Sequence, residues 1–182
     1  NYRVILTRSD DTFLKLRERV QIAQDVKADL FISLHADSLR DPHVRGGSVY
    51  TLSEKASDKE AEALANRENR SDLIGVKSDL DREDDDVAKI LISLVQRETM
   101  NQSLTFATKL IPHFRRVGKI LRKSRREAAF VVLKAPDVPS ILIEMGFLSN
   151  KNDEKKLKSR RFLAQLADAI VSSADDYFSD LD

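Results

Sequence analysis

The sequence predicts an α/β domain, a sheet with helices packed against it, and three observations carry that prediction. Short apolar runs rich in β-branched residues, Val4–Thr7, Leu30–Leu34 and Ser140–Ile143, read as buried strands. Between the first two, Phe13, Leu16, Val20, Ala23 and Val26 share one face at helical spacing, which makes a strand–helix–strand unit. After the third, Phe162, Leu163, Leu166, Ala167, Ile170 and Val171 form another such face.

In chain order, Asp10, Asp11 and Thr12 offer N-cap oxygens to the first helix. The run Leu30–Leu34 stops abruptly at His35-Ala36-Asp37, and Gly46-Gly47 precedes a strand from Ser48 to Leu52. Asp58 to Asn69 favours helix but carries little apolar stripe, and Ser71–Gly75 reads as a turn or helix end. An acidic run, Asp79 to Asp86 interrupted by Arg82, leads into a helix with Val87, Ile90, Leu91, Leu94 and Val95 on one face. Leu104, Ala107, Leu110 and Ile111 continue it, and Pro112 is expected to kink or end it. The basic stretch Arg115–Arg126 reads as a solvated connector, partly neutralised by the acidic run. Phe130–Leu133 reads as a strand and Pro136–Pro139 as a turn. Ser149 and Asn150 precede one C-terminal helix. The segment from about 54 to 127 therefore looks like a helical insertion within a single sheet domain spanning 1–182.

With 182 residues and 41% hydrophobic content the chain can bury the core of one domain. Lys and Arg total 31 against 30 Asp and Glu, so net charge points to no class of partner. The absence of Cys excludes disulfides and thiolate metal sites. No apolar run approaches the ~20 residues that cross a bilayer, so no membrane insertion is expected. The chain opens on Asn1-Tyr2-Arg3 and directly on an apolar run, without a signal peptide. That is the start expected of a fragment.

The residues that could carry chemistry stand out by position. Two apolar strands each end in a titratable group, His35 after one and Glu144 after the other. In open α/β sheets, ligands bind beyond the carboxyl ends of the strands. An imidazole and a carboxylate converging there suit metal-assisted hydrolysis, the first as ligand and the second as proton carrier. The plainer alternative is a hydrogen-bonded histidine and a glutamate paired with an arginine. His43 and His113 read as exposed or locally satisfied. The Asp79–Asp86 run has Asp84 where a calcium loop needs glycine, which argues against that use.

Four segments resemble a known family in its order. Ser33-Leu34-His35-Ala36-Asp37 and Ile143-Glu144-Met145-Gly146-Phe147-Leu148-Ser149-Asn150 are similar to paired signatures of the N-acetylmuramoyl-L-alanine amidases of the AmiA/AmiB/AmiC type. Arg45–Ser53 and Val132–Ser140 resemble that family too. The resemblance implies a mixed sheet flanked by helices, one catalytic zinc, His35 as a zinc ligand and Glu144 as the catalytic glutamate. It implies hydrolysis of the amide between the lactyl group of N-acetylmuramic acid and L-alanine in peptidoglycan, during cell-wall remodelling and daughter-cell separation. A periplasmic location and an activator protein of the degenerate LytM type come with it.

The family's first zinc histidine and its glutamate ligand precede the segment that matches Val4–Thr7, and this sequence contains neither. The expectation is that an N-terminal portion is missing. In related division amidases a carboxylate from the insertion occupies the zinc until an activator displaces it. Glu68 and Glu83 are the candidates for that regulatory role here. The alternative function is a catalytically inactive module that binds peptidoglycan or a partner protein. A nucleic-acid partner is not expected, because the basic stretch has no interleaved aromatics and no accompanying motif.

Overall fold

The computed structural model describes residues 2–73 and 86–181, with the backbone alone for 73 and 86–95. Its strands are β1 (Phe31–His35), β2 (Gly47–Leu52), β3 (Ile120–Ala128) and β4 (Ser140–Glu144), in the sheet order β1-β4-β2-β3. β1 and β4 run parallel, from Phe31 opposite Ser140 to His35 opposite Glu144. β2 is antiparallel to β4, with Ser48 opposite Glu144, and parallel to β3. The sheet is mixed, as the resemblance implies. Every residue of β4 is buried, which its uninterrupted apolar run requires of a strand covered on both faces.

Helices supply both covers. On one face Phe106, Leu110 and Phe114 of α3 (Asp86–Val117) and Leu166, Ala169 and Tyr177 of α5 (Arg160–Phe178) pack on Val49, Ile141 and Ile143. Phe106 and Tyr177 meet edge to face with ring centroids 5.5 Å apart. On the other face Leu16 of α1 (Leu16–Asp25), Ala61 and Leu64 of α2 (Lys59–Asn69), and Phe130 and Leu133 pack on Tyr50 and Leu142. Asp58 caps α2 by accepting from the amides of Glu60 and Ala61. A short helix, α4 (Lys151–Leu157), precedes α5.

Several expectations are corrected. Val4–Thr7 is not a strand: it has no pairing neighbour among the described residues, and Val4 and Leu6 are 80% and 72% exposed. A β-prone run with no ladder to join stays irregular. Tyr2 before it is anchored through its hydroxyl to Asp175 at 2.7 Å and its ring against Phe178. The first helix begins at Leu16, because Asp10 spends its side chain on a local turn with the Thr12 amide. Glu18 and the distant Asp72 accept from the first amides instead, those of Lys15 and Leu16. Phe13 and Val26 are exposed while Leu16 and Ala23 are buried.

Pro112 lies inside α3, which continues to Val117. Proline withholds one donor from the carbonyl of Thr108, and burial of Leu110 and Phe114 on either side holds the helix through it. The basic stretch is not a connector. From Ile120 it is the edge strand β3, with Arg122 and Lys123 exposed and Ser124 and Arg126 buried. Exposed cations on an open edge discourage pairing with other chains, a common way to blunt such an edge. Asp58 and Glu60 at the start of α2 are both ion-paired to Arg126 of this strand, and residues 79–85 of the acidic run expected to neutralise the stretch lie outside the described residues. The span 54–127 thus contains a strand of the sheet, and residues 96–117 of α3 help to cover it.

Phe130–Leu133 is not a strand either: Val131–Leu133 forms a buried 3-10 turn. Asn69 satisfies the backbone there, donating to the Ala129 carbonyl at 2.8 Å and accepting from the Val131 amide at 2.9 Å. The C-terminal helix is two helices, with Asn150 capping α4 and Ser159 capping α5. Leu163, Ala167 and Val171 face outward.

Candidate functional site

β1 and β4 end side by side, so His35 and Glu144 emerge as register partners at the carboxyl ends of parallel strands. α2 crosses the same end of the sheet. Near its C-terminus Glu68 brings a carboxylate oxygen to 3.4 Å from His35 Nδ1, and Asp37 places one at 3.9 Å. The other ring nitrogen, Nε2, shares a hydrogen bond of 3.0 Å with Ser33 Oγ. With the ring proton on Nε2 and donated to that hydroxyl, the Nδ1 lone pair is left for a cation. His35, Asp37 and Glu68 each present one ligand atom, and the three lie within 4.8 Å of one another.

Glu144 is fully buried. One carboxylate oxygen accepts from the Asp37 amide at 2.7 Å, and the other has no hydrogen-bond partner among the described residues. Burial raises its pKa to about 8; the Asp37 amide opposes this, and the charges of Asp37 and Glu68 add to it. Burial also raises Glu68, against the pull of His35. Asp37 Oδ2 is a second buried carboxylate oxygen without a hydrogen-bond partner among the described residues. Imidazole nitrogen and carboxylate oxygens form a donor set for a divalent cation, and two carboxyl oxygens beside them that lack partners among the described residues fit a positive charge in the cleft. The cluster is able to hold a metal ion.

The rim of the site is made where two sequence motifs meet. The Met145 amide donates to the His35 carbonyl, and the Leu148 amide donates to the Asp37 carbonyl. The Leu39 amide donates to Ser149 Oγ at 3.0 Å, and Asn150 Nδ2 donates to the Pro42 carbonyl at 2.7 Å. Beneath them the buried Asp153 accepts from the Gly46 amide at 2.6 Å and the Phe147 amide at 3.2 Å. Arg67 pins α2 to this rim through the Ser38 carbonyl at 2.6 Å.

Of the residues singled out from sequence, His35, Glu144 and Glu68 therefore come together. Glu83 lies outside the described residues. His43 is exposed, and His113 is hydrogen-bonded to Asp176 at 2.8 Å between α3 and α5, on the opposite face of the sheet. Asp37 closes the Ser33–Asp37 signature, yet sequence reasoning assigns it no role; its place two residues beyond the strand-end His35 is the signal that points to it. Ser33, on the same side of β1 by strand alternation, carried the same signal.

A sequence profile of the family described as N-acetylmuramoyl-L-alanine amidase matches residues 1–176. The chain is 41% identical over 174 residues to N-acetylmuramoyl-L-alanine amidase AmiA of Escherichia coli strain K12, covering 95% of this chain and 60% of that protein. It is 40% identical to AmiC of Escherichia coli O6:H1, covering 99% of this chain and 43% of that protein. The chain thus spans about half the length of these relatives. Among solved structures, the catalytic domain of CwlV, an N-acetylmuramoyl-L-alanine amidase from Bacillus (Paenibacillus) polymyxa, superposes with a TM-score of 0.60 at 25% identity. That likeness covers 97% of this chain and 73% of that one. The profile match over nearly every residue and the identity to AmiA and AmiC place the chain in the N-acetylmuramoyl-L-alanine amidase family.

Proposed function

We propose that the chain is a catalytic portion of a zinc-dependent amidase that hydrolyses the bond between the lactyl group of N-acetylmuramic acid and L-alanine in peptidoglycan. The observation that carries this reading is the placement of a buried Glu144 against a cluster of one imidazole and two carboxylates at the ends of parallel strands. His35, with Asp37 and Glu68 beside it, would hold the metal from this chain. Bound zinc supplies Lewis-acid polarisation of the lactyl carbonyl and favours ionisation of the attacking water. Glu144 accepts the proton of that water as the C–O bond forms, then delivers it to the amine as the C–N bond breaks. A lactyl carboxylate and a free L-alanine amine result. Ser33 fixes the ring of His35, and the Asp37 amide fixes one oxygen of Glu144 so that the other faces the reaction.

The same geometry supports regulation by Glu68. Its carboxylate sits on the metal cluster from an element that packs over the site, as a gate would. An activator protein of the degenerate LytM type would draw α2 away and free that position for substrate. Work outside the cytoplasmic membrane, in a periplasm and during daughter-cell separation, follows from the substrate. No helix among the described residues is long and apolar enough to cross a membrane.

Zinc content after dialysis against metal-free buffer, and stem-peptide release from purified peptidoglycan, test this reading together. Near-stoichiometric zinc, lost in His35→Ala, with activity abolished in Glu144→Gln and raised in Glu68→Ala, is the expected pattern. A zinc ratio near zero and no release would turn the reading to an inactive module that binds peptidoglycan or a partner protein. Unchanged basal activity in Glu68→Ala would remove Glu68 as a gate.

A further inference from the structure

The chain carries nearly balanced charge, but its cations are not evenly spread. Seven of its 31 Lys and Arg stand in 115–126 and six in 151–161. The first segment contains no carboxylate. The second has two: Asp153 is buried on backbone amides, and Glu154 is paired with Lys158. The fold brings the two segments together. A side chain on Gly118, in the α3–β3 turn, would meet the Phe162 ring at 3.3 Å and Lys156 Nζ at 3.8 Å. Gly46 and Gly47 bridge them from below, the first donating to Asp153 of α4 and the second to the Lys119 carbonyl.

This corner lies at the site end of the sheet, on the face that α3 and α5 cover, opposite the face toward which Leu142 and Glu144 point. Gly47 at the start of β2 pairs with Ile120 at the start of β3, and Ser48 pairs with Glu144. Arg115, Lys119, Lys151, Lys155 and Arg160 are exposed there, and none has an ion-pair partner among the described residues. Like charges gathered on one surface raise the local potential and attract an anionic partner. A discrete small anion would need a built pocket. A row of exposed cations on a turn and two helix ends suits a polymer whose negative charges repeat.

We propose that the α3–β3 turn and the α4–α5 corner form a docking platform for the stem-peptide carboxylates of peptidoglycan, at the end of the sheet where the bond is cut. The choice of polymer rests on the amidase reading above, and the charge complementarity is independent of it. A substrate chain entering the cleft at Glu144 extends beyond the scissile bond, and its flanking stem peptides present free carboxylates to this corner. The platform would hold the polymer while the site works on one link.

Binding is measured with the protein carrying Glu144→Gln, so that nothing is hydrolysed, by sedimentation with purified sacculi. Native sacculi are compared with sacculi whose carboxyl groups have been converted to amides. A second protein carries Arg115→Gln, Lys119→Gln, Lys155→Gln and Arg160→Gln as well; all four are exposed, and its circular dichroism shows whether the fold is kept. Each exposed pairing is worth about a factor of two in affinity, so roughly tenfold weaker binding is expected for that variant and for amidated sacculi. Binding should also weaken as salt rises from about 0.05 to 0.3 M. Undiminished binding in either comparison overturns the proposal. Tighter binding to phosphatidylglycerol vesicles or to duplex DNA than to sacculi overturns it too, in favour of a lipid or nucleic-acid surface. Platform-dependent binding by a protein whose parent releases no stem peptide would overturn the amidase reading and leave the platform standing.

Discussion

Removing the charge at position 144 should change how the stability of the metal-free protein depends on pH. Glu144 titrates near 8 in the fold, against an ordinary value of 4.5, chiefly because it is buried. Between those values the folded protein keeps a proton that the unfolded chain has lost. Stability therefore falls as pH rises through the window, from full below about 4.5 to its lowest above about 8. A separation of 3.5 units at 1.36 kcal/mol each amounts to about 5 kcal/mol across the window. For a domain of this size that is roughly 10 °C or more in Tm. Glu144→Gln keeps an oxygen for the Asp37 amide but cannot ionise. Its amide group replaces an oxygen that has no partner among the described residues, so below pH 5 the variant should melt no higher than the parent. By pH 8.5 it should melt well above it. Glu68, also raised by burial, remains in both proteins and leaves a shallower common slope. Thermal melts followed by circular dichroism in chelator at pH 5, 6, 7, 8 and 9 make the test. Parallel Tm–pH curves for the two proteins would refute the placement of Glu144 as a buried, proton-holding carboxyl. Zinc added at pH 8 should raise the Tm of the parent more than that of the variant, since a cation relieves the buried charge.

Two further outcomes concern the frame of the site. Asp153→Ala leaves the buried amides of Gly46 and Phe147 without an acceptor and should cost about 2–4 kcal/mol in urea unfolding, with Asp153→Asn losing less. Gly46→Ala should destabilise by about 2 kcal/mol or more, because Gly46 sits at φ +103° and a Cβ there would lie 2.7 Å from the Lys119 carbonyl oxygen; a melt matching the parent would disprove that contact.

The strands that carry the site were legible because their local code leaves little choice. Leu30–Leu34 and Ser140–Ile143 are short apolar runs that form strands; β4 is covered on both faces as such a run requires, whereas in β1, expected to be buried, Leu34 is 54% exposed because the strand lies at the sheet's edge. Asp58 marked the start of α2 by the same kind of local chemistry, a side-chain oxygen accepting from the first free amides. The amidase motifs named His35 and Glu144 before any contact between them was visible. What lay beyond sequence depends on neighbours far along the chain. β3 is basic and reads as solvated, yet it is a strand because β2 offers it a ladder and α2 supplies acids for Arg126. Val4–Thr7 has the stronger β-propensity and no such ladder, so it is irregular. Glu68 sits on a polar helix face that local spacing assigns to solvent, and it meets His35 only because α2 packs through Ala61, Leu64 and Ala65 onto that end of the sheet. Asp37 and Glu144 are 107 positions apart, and the hydrogen bond between them exists because β1 and β4 are parallel and in register. Sequence determined which groups could do chemistry; long-range pairing and packing decided which of them share one cleft, because the free energy of those contacts belongs to residues that no local window contains together.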